Sequence, residues 1–183
     1  PLHMVMVRGE PSQLPALCGH QVDAAHTRMT ITSDVDSHGR TVWQLGGQVA
    51  EDGVAMTREE LVCHVAEELA EVLPGLELDG LEVNTYRVDR AEAASVGGRR
   101  PETQSLQVDG NTLTAFPTKL ALAPVLALEV VAAIGRLGSR ASRGISTDLE
   151  TIDWPRPLVA RPPWESATGW VPLARVAASR RAA

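Results

Sequence analysis

Aromatic side chains are scarce: four Trp, one Tyr and one Phe, 3% of 183 residues. A core must therefore be assembled from Leu, Val and Ala. Lysine is scarcer still, since Lys119 is the only one and every other basic side chain is Arg. Two cysteines, Cys18 and Cys63, are too few for a disulfide framework and fit a reducing compartment. A basic excess is missing as well. Seventeen basic against 23 acidic side chains leave a net charge of −6, the wrong sign for a surface that binds nucleic acid. No apolar run reaches the roughly 18 residues a membrane span needs. No basic-then-apolar leader opens the chain, so the expected location is cytoplasmic and no membrane partner is expected.

The common catalytic signatures are absent too. No Gly-x-Gly-x-x-Gly follows a strand, and there is no Gly-Lys-Ser/Thr phosphate loop. There is no Gly-x-Ser-x-Gly nucleophile elbow; Ser139 and Ser142 lie in an Arg-rich loop. Five His and two Cys show no zinc spacing. Cys63 and His64 are adjacent on a helix and point about 100° apart, so they do not share an ion. Cys18, His20 and His26 would converge only through a particular loop fold. No metal site is expected.

What is present is an ordinary soluble composition, 44% apolar and 22% charged. The length suits one domain, which at this size hides roughly 70% of its unfolded surface. Charge is uneven. Residues 1–116 carry 8 basic and 18 acidic side chains, a net of −10, and residues 117–183 carry 9 and 5, a net of +4. The break at Phe116-Pro117 is read as an architectural boundary, giving 1–116, 117–153 and a Pro/Trp-rich tail, 154–183.

Leu2-His-Met-Val-Met-Val7 is a strand-like run. Met29–Thr32 and Thr41–Leu45 flank Asp34-Val-Asp-Ser-His-Gly39, whose turn chemistry predicts an antiparallel hairpin. Gly46-Gly47 marks a bulge or a close backbone approach. Pro11–Ala25 has no clear period. Residues 57–73 are the clearest helix: Thr57 and Glu60 form a capping box, and Leu61, Val62, Val65, Leu69 and Val72 recur at helical spacing. Glu67, Glu68 and Glu71 lie mostly off that stripe, as a solvated acidic face would. Pro74-Gly75 ends the helix. Leu81–Val88 reads as a strand, with Val83, Thr85 and Arg87 on one side and Asn84, Tyr86 and Val88 on the other. Gly97–Pro101 is a loop, and Leu113–Phe116 a short strand.

That strand runs into Pro117-Thr-Lys-Leu120 and an apolar stretch to Ile134. A helix apolar all round is buried, and its companion should be a sheet or a cofactor-binding half. The free amides at its start need partners, and their dipole suits an anionic group. The plainer alternative is a Thr118 cap with a partly solvated Lys119. Pro124 either interrupts the helix or sits in its first turn. In the tail, Pro155, Pro157, Pro162, Pro163 and Pro172 discourage regular structure. Trp154, Trp164 and Trp170 anchor an extended segment on the body of the protein, with fraying beyond Arg175.

Three segments occur in a telling order: Tyr86-Arg-Val-Asp-Arg-Ala-Glu92, Gly98-Arg-Arg-Pro101, and Phe116-Pro-Thr-Lys-Leu-Ala-Leu-Ala-Pro124. With the hairpin holding Thr41–Gly47, the chain over about residues 1–135 resembles the C-terminal part of an FAD-dependent oxidoreductase of the D-amino-acid-oxidase-like superfamily. The resemblance implies an antiparallel substrate sheet followed by a strand and helix returning beside the flavin. The family's Gly-rich FAD-binding segment has no counterpart in this chain. The returning loop, Gly-rich with a His in many members, is Pro117-Thr118-Lys119 here. The resemblance further implies FAD as cofactor, Pro117, Thr118, Lys119 and Leu120 as flavin-facing residues, and Arg100 as partner of a substrate carboxylate. A planar guanidinium suits that carboxylate because it donates two parallel bonds. Arg87 is the second candidate, its alternative being an ion pair with Asp89 or Glu92. No catalytic base is assigned.

The expected fold is α+β: an antiparallel sheet with helices packed on one side, plus a buried C-terminal helix. The function implied is oxidation of a small molecule at a C–H next to N or O, with the flavin accepting the hydride. The alternatives are a non-catalytic remnant without FAD, or a subunit that pairs with a separate FAD-binding half through residues 118–134.

Overall fold

The central strand, β1 (Leu2–Gly9), is buried on both sides, and its neighbours explain why. In the computed structural model, which describes residues 1–23, 26–91, 93, 101–138, 155 and 158–179, β1 lies between two antiparallel partners. The chain runs β2 (Cys18–Asp23), β3 (His26–Val35), β4 (Thr41–Gly46), α1 (Gln48–Asp52), α2 (Arg58–Val72) and β5 (Glu82–Val88). It continues through β6 (Ser105–Asp109), β7 (Thr112–Phe116), α3 (Ala123–Arg136), α4 (Pro163–Ser166), β8 (Val171–Pro172) and α5 (Leu173–Ser179). Six strands form one sheet in the order β2-β3-β4-β1-β5-β8, and β6 pairs with β7 in a separate hairpin. The architecture is α+β, as the sequence indicates.

The chain forms two compact units. The first joins Pro1–Arg90 to Leu158–Ala183, and the second is Ala91–Pro157. The sequence-based boundary at Phe116-Pro117 lies inside the second unit.

Strand alternation sorts the first unit's core. Val5 stands beside Leu45 and Thr85, and Val7 beside Trp43 and Val83. This side packs on Leu61, Val62, Val65 and Leu69 of α2 and on Leu173, all essentially buried. The Trp43 indole donates to Pro15 O at 2.8 Å, so its polar edge costs nothing inside the core. His3, also buried, bonds through Nδ1 to Gly53 O at 3.0 Å; the carbonyl only accepts, so Nδ1 carries the proton. Helix α2 has its full capping box, with Thr57 accepting from Glu60 N and the Glu60 carboxylate accepting from Thr57 N at 2.8 Å. Arg28 of β3 clamps the acidic side of α2 through Glu68 and Glu71. The carboxylates raise the Arg28 pKa further above its ordinary value, and its bonds hold Glu71 below the usual carboxylate range.

The β3–β4 hairpin forms as predicted. Asp36 at its corner is buried, accepting from His38 N and Arg40 N and from Arg40 Nε, each at 2.9 Å. Burial works to raise its pKa, but the bonds from Arg40 and from the His38 amide outweigh it and leave the carboxyl below its ordinary value. A carboxyl depressed on folding stabilises the native state above the unfolded value and loses that contribution as pH falls through the folded one. Asp36→Ala should cost about 1–3 kcal/mol near neutral pH, since it strips the acceptor from two part-buried amides and a guanidinium. The gap between variant and parent should close in acid. Urea titrations at pH 7 and below pH 4 check this; a gap that widens in acid would contradict the sign. Gly46-Gly47 is the expected close approach: Gly47 sits at φ 81, and a Cβ there would lie 2.8 Å from Thr27 O.

The tail departs from expectation in part. Trp164 is buried on Met6 and Val42, with Trp170 beside it, so these two anchors hold; Trp154 lies outside the described residues. The segment is not wholly extended, however, and does not fray at Arg175. After α4, β8 pairs with β5, and α5 runs to Ser179 against α2. Leu173 supplies the reason, because it is completely buried in the main core.

The helix after Pro117 is present as α3, but it is not buried in this chain. Only Leu126 and Ala133 are buried, whereas Leu120 is 88%, Leu128 73% and Val131 67% exposed. Within the described part of its unit, α3 packs on the β6–β7 hairpin, and a two-stranded ribbon covers one side of a helix.

Candidate functional site

The sheet carries α1, α2 and α5 on one face. On the other face the segment from α4 to Trp170 covers Met6 and Val42. Further along that face, on either side of β1, stand Gln44 of β4 and Tyr86 of β5. The Tyr86 hydroxyl donates to Gln44 Oε1 at 2.8 Å. Burial raises the Tyr86 pKa, so the phenol remains a proton-bearing donor at neutral pH. Gln44 keeps an amide donor and Tyr86 an acceptor lone pair, a pair able to orient a polar group laid on the face. Asn84, on the same side, donates to Thr168 O at 2.9 Å. Arg8 bonds to Glu82 at 2.8 Å and lies 4.0 Å from the Trp170 ring centroid. These contacts fasten the tail across one end of the face.

Sequence reasoning placed Tyr86 with Asn84 and Val88, and the register agrees: Tyr86 stands beside Met4. It did not single out Gln44 and Tyr86 as a pair. Alternation gives a side chain's face, but not that β4 and β5 flank the same strand.

Arg87, the second carboxylate candidate, points to the helix side. Its guanidinium donates to Val54 O at 3.1 Å and Met56 O at 3.3 Å, which ties the strand to the turn before α2. Arg100 and the rest of its loop before Pro101 lie outside the described residues.

At Pro117–Leu120 the chain makes a tight bend. Thr118 has φ 62, the one non-Gly positive value among the described residues, and Lys119 N bonds back to Pro117 O at 2.6 Å. Such a conformation costs a β-branched residue about 1–3 kcal/mol. The Thr118 hydroxyl donates to Thr103 O at 2.9 Å. It does not cap the helix, and no side chain caps the short 3-10 turn Leu120–Leu122 that leads into α3. Pro124 falls in the first turn of α3, where its missing N–H is no loss. Lys119 is exposed. An ammonium beside uncapped helix-start amides is a donor set that fits an anionic edge such as that of a reduced flavin. It does not fit the whole of FAD, because no Gly-rich loop in the sequence would cradle the pyrophosphate.

Cys63 is buried with its sulfur directed at Val176 O, and Cys18 is exposed. Among the described residues no three His, Cys, Asp or Glu side chains gather as metal ligands.

No protein-family model matches the chain. Its sequence is 40% identical over 169 residues to the probable FAD-dependent oxidoreductase PA4991 of Pseudomonas aeruginosa, an alignment covering 91% of this chain and 42% of that protein. The crystal structure of the FAD-dependent oxidoreductase PA4991 matches with a TM-score of 0.73 at 38% identity, over 89% of this chain and 44% of that one. The chain thus spans less than half the length of the relative it matches. In sequence and in fold alike, about nine-tenths of this chain is similar to a part of an FAD-dependent oxidoreductase.

Proposed function

We propose that this chain is the substrate-sheet and returning-helix portion of an FAD-dependent oxidoreductase that oxidises a small molecule at a C–H bond next to N or O. The observation that carries the reading is the 40% identity over 91% of the chain to an enzyme named for FAD. The chemistry FAD supplies when bound is acceptance of a hydride from the substrate carbon. In this reading Lys119 and the helix-start amides of the Pro117–Leu120 bend favour negative charge on the cofactor. Arg100 holds a substrate carboxylate through two parallel bonds. Arg87 would serve only by giving up its two carbonyl acceptors. The proposed location is the cytoplasm, which the free thiols Cys18 and Cys63 suit; among the described residues no helix is long and apolar enough to cross a membrane.

The apolar side of α3 supports a missing companion. Leu128 and Val131 are exposed here, as is Leu120 in the turn before the helix, and an FAD-binding half, in the same polypeptide or as a separate subunit, would cover them. A non-catalytic remnant is the alternative. The coding sequence upstream of Pro1 separates these readings: an in-frame Gly-x-Gly-x-x-Gly there supports the single-chain enzyme.

The isolated 183-residue chain should purify colourless, because the phosphate-cradling loop is absent and much of dinucleotide recognition goes with it. Visible absorbance of the purified protein is the check, and stoichiometric flavin would contradict the reading. In the assembled flavoprotein, Lys119→Met should lower the flavin potential or slow reduction with the fold intact. A helix-end charge of this kind is worth about 0.3–2 kcal/mol. A redox titration that leaves the potential unmoved, with reduction also unchanged, would remove Lys119 from the flavin.

A further inference from the structure

We draw no further inference here: the strongest candidate, the half-open apolar pocket between edge strand β2 and the C-terminal end of α2, lined by Leu17, Gly19, Met29, Ile31, Val72 and Leu73, has nothing in the structure to show what covers it.

Discussion

Val65→Asp should unfold the first unit at room temperature, while Glu67→Ala, two residues away on the same helix, should leave its melting curve within about 0.5 kcal/mol of the parent. Val65 is fully buried in the main core, among the α2 side chains that meet the sheet. A carboxylate there either stays ionised in an apolar site or takes up a proton, and both routes cost several kcal/mol. A domain of this kind has only about 5–15 kcal/mol to lose. Glu67 is exposed on the opposite side. Circular dichroism melts of the two variants decide it, and similar midpoints would mean that the buried face of α2 has been misassigned.

A chain that stops at Pro157 should likewise fail to form the cooperative first unit. The deletion removes Leu173, completely buried, and Trp164, 8% exposed over Met6 and Val42. It also removes the strand beside β5 and the Glu165 carboxylate that accepts from Ser37 N and Oγ, both at 2.7 Å. Loss of a buried Trp costs about 3–5 kcal/mol and of a buried Leu about 2–5, so the sum approaches the whole stability. Leu173→Ala isolates one part of this and should cost about 2–5 kcal/mol. Urea titration checks both; a truncated chain that unfolds cooperatively at the parental midpoint would show that the tail is dispensable.

The elements that could be read from the sequence are those whose cause is local. The capping box and apolar period of α2 involve residues three or four apart, and the structure returns them as written. The sides of β5 follow from alternation alone. Strand β2 was missed because it is an edge strand exposed over almost its whole length, and an edge leaves no alternation to read. Strand β6 was missed although Asp109-Gly110-Asn111 carries turn chemistry, with Gly110 at φ 55. Helix α5 was hidden behind the prolines before it, whose effect ends at Pro172. The apolar character of α3 signals a need for cover, but a sequence does not say which chain provides it. Of the candidate site, the strand-to-helix junction at Pro117–Leu120 was legible from its position, but the bend at Thr118 was not. The Gln44–Tyr86 bond and the carbonyl partners of Arg87 were not, because each joins residues 31 to 42 positions apart.

Because the second unit is inserted between Arg90 and Leu158, the ribosome makes the sheet's sixth strand long after the strand it pairs with. Val83 and Val171 are register partners separated by 171 − 83 = 88 residues. At about 5–20 residues per second, synthesis of that interval takes roughly 4–18 s. A hairpin such as β3–β4 closes within about 1–10 μs. The nascent sheet therefore waits for seconds with Met6, Val42 and the future seat of Leu173 uncovered, an interval in which chaperone capture competes with aggregation.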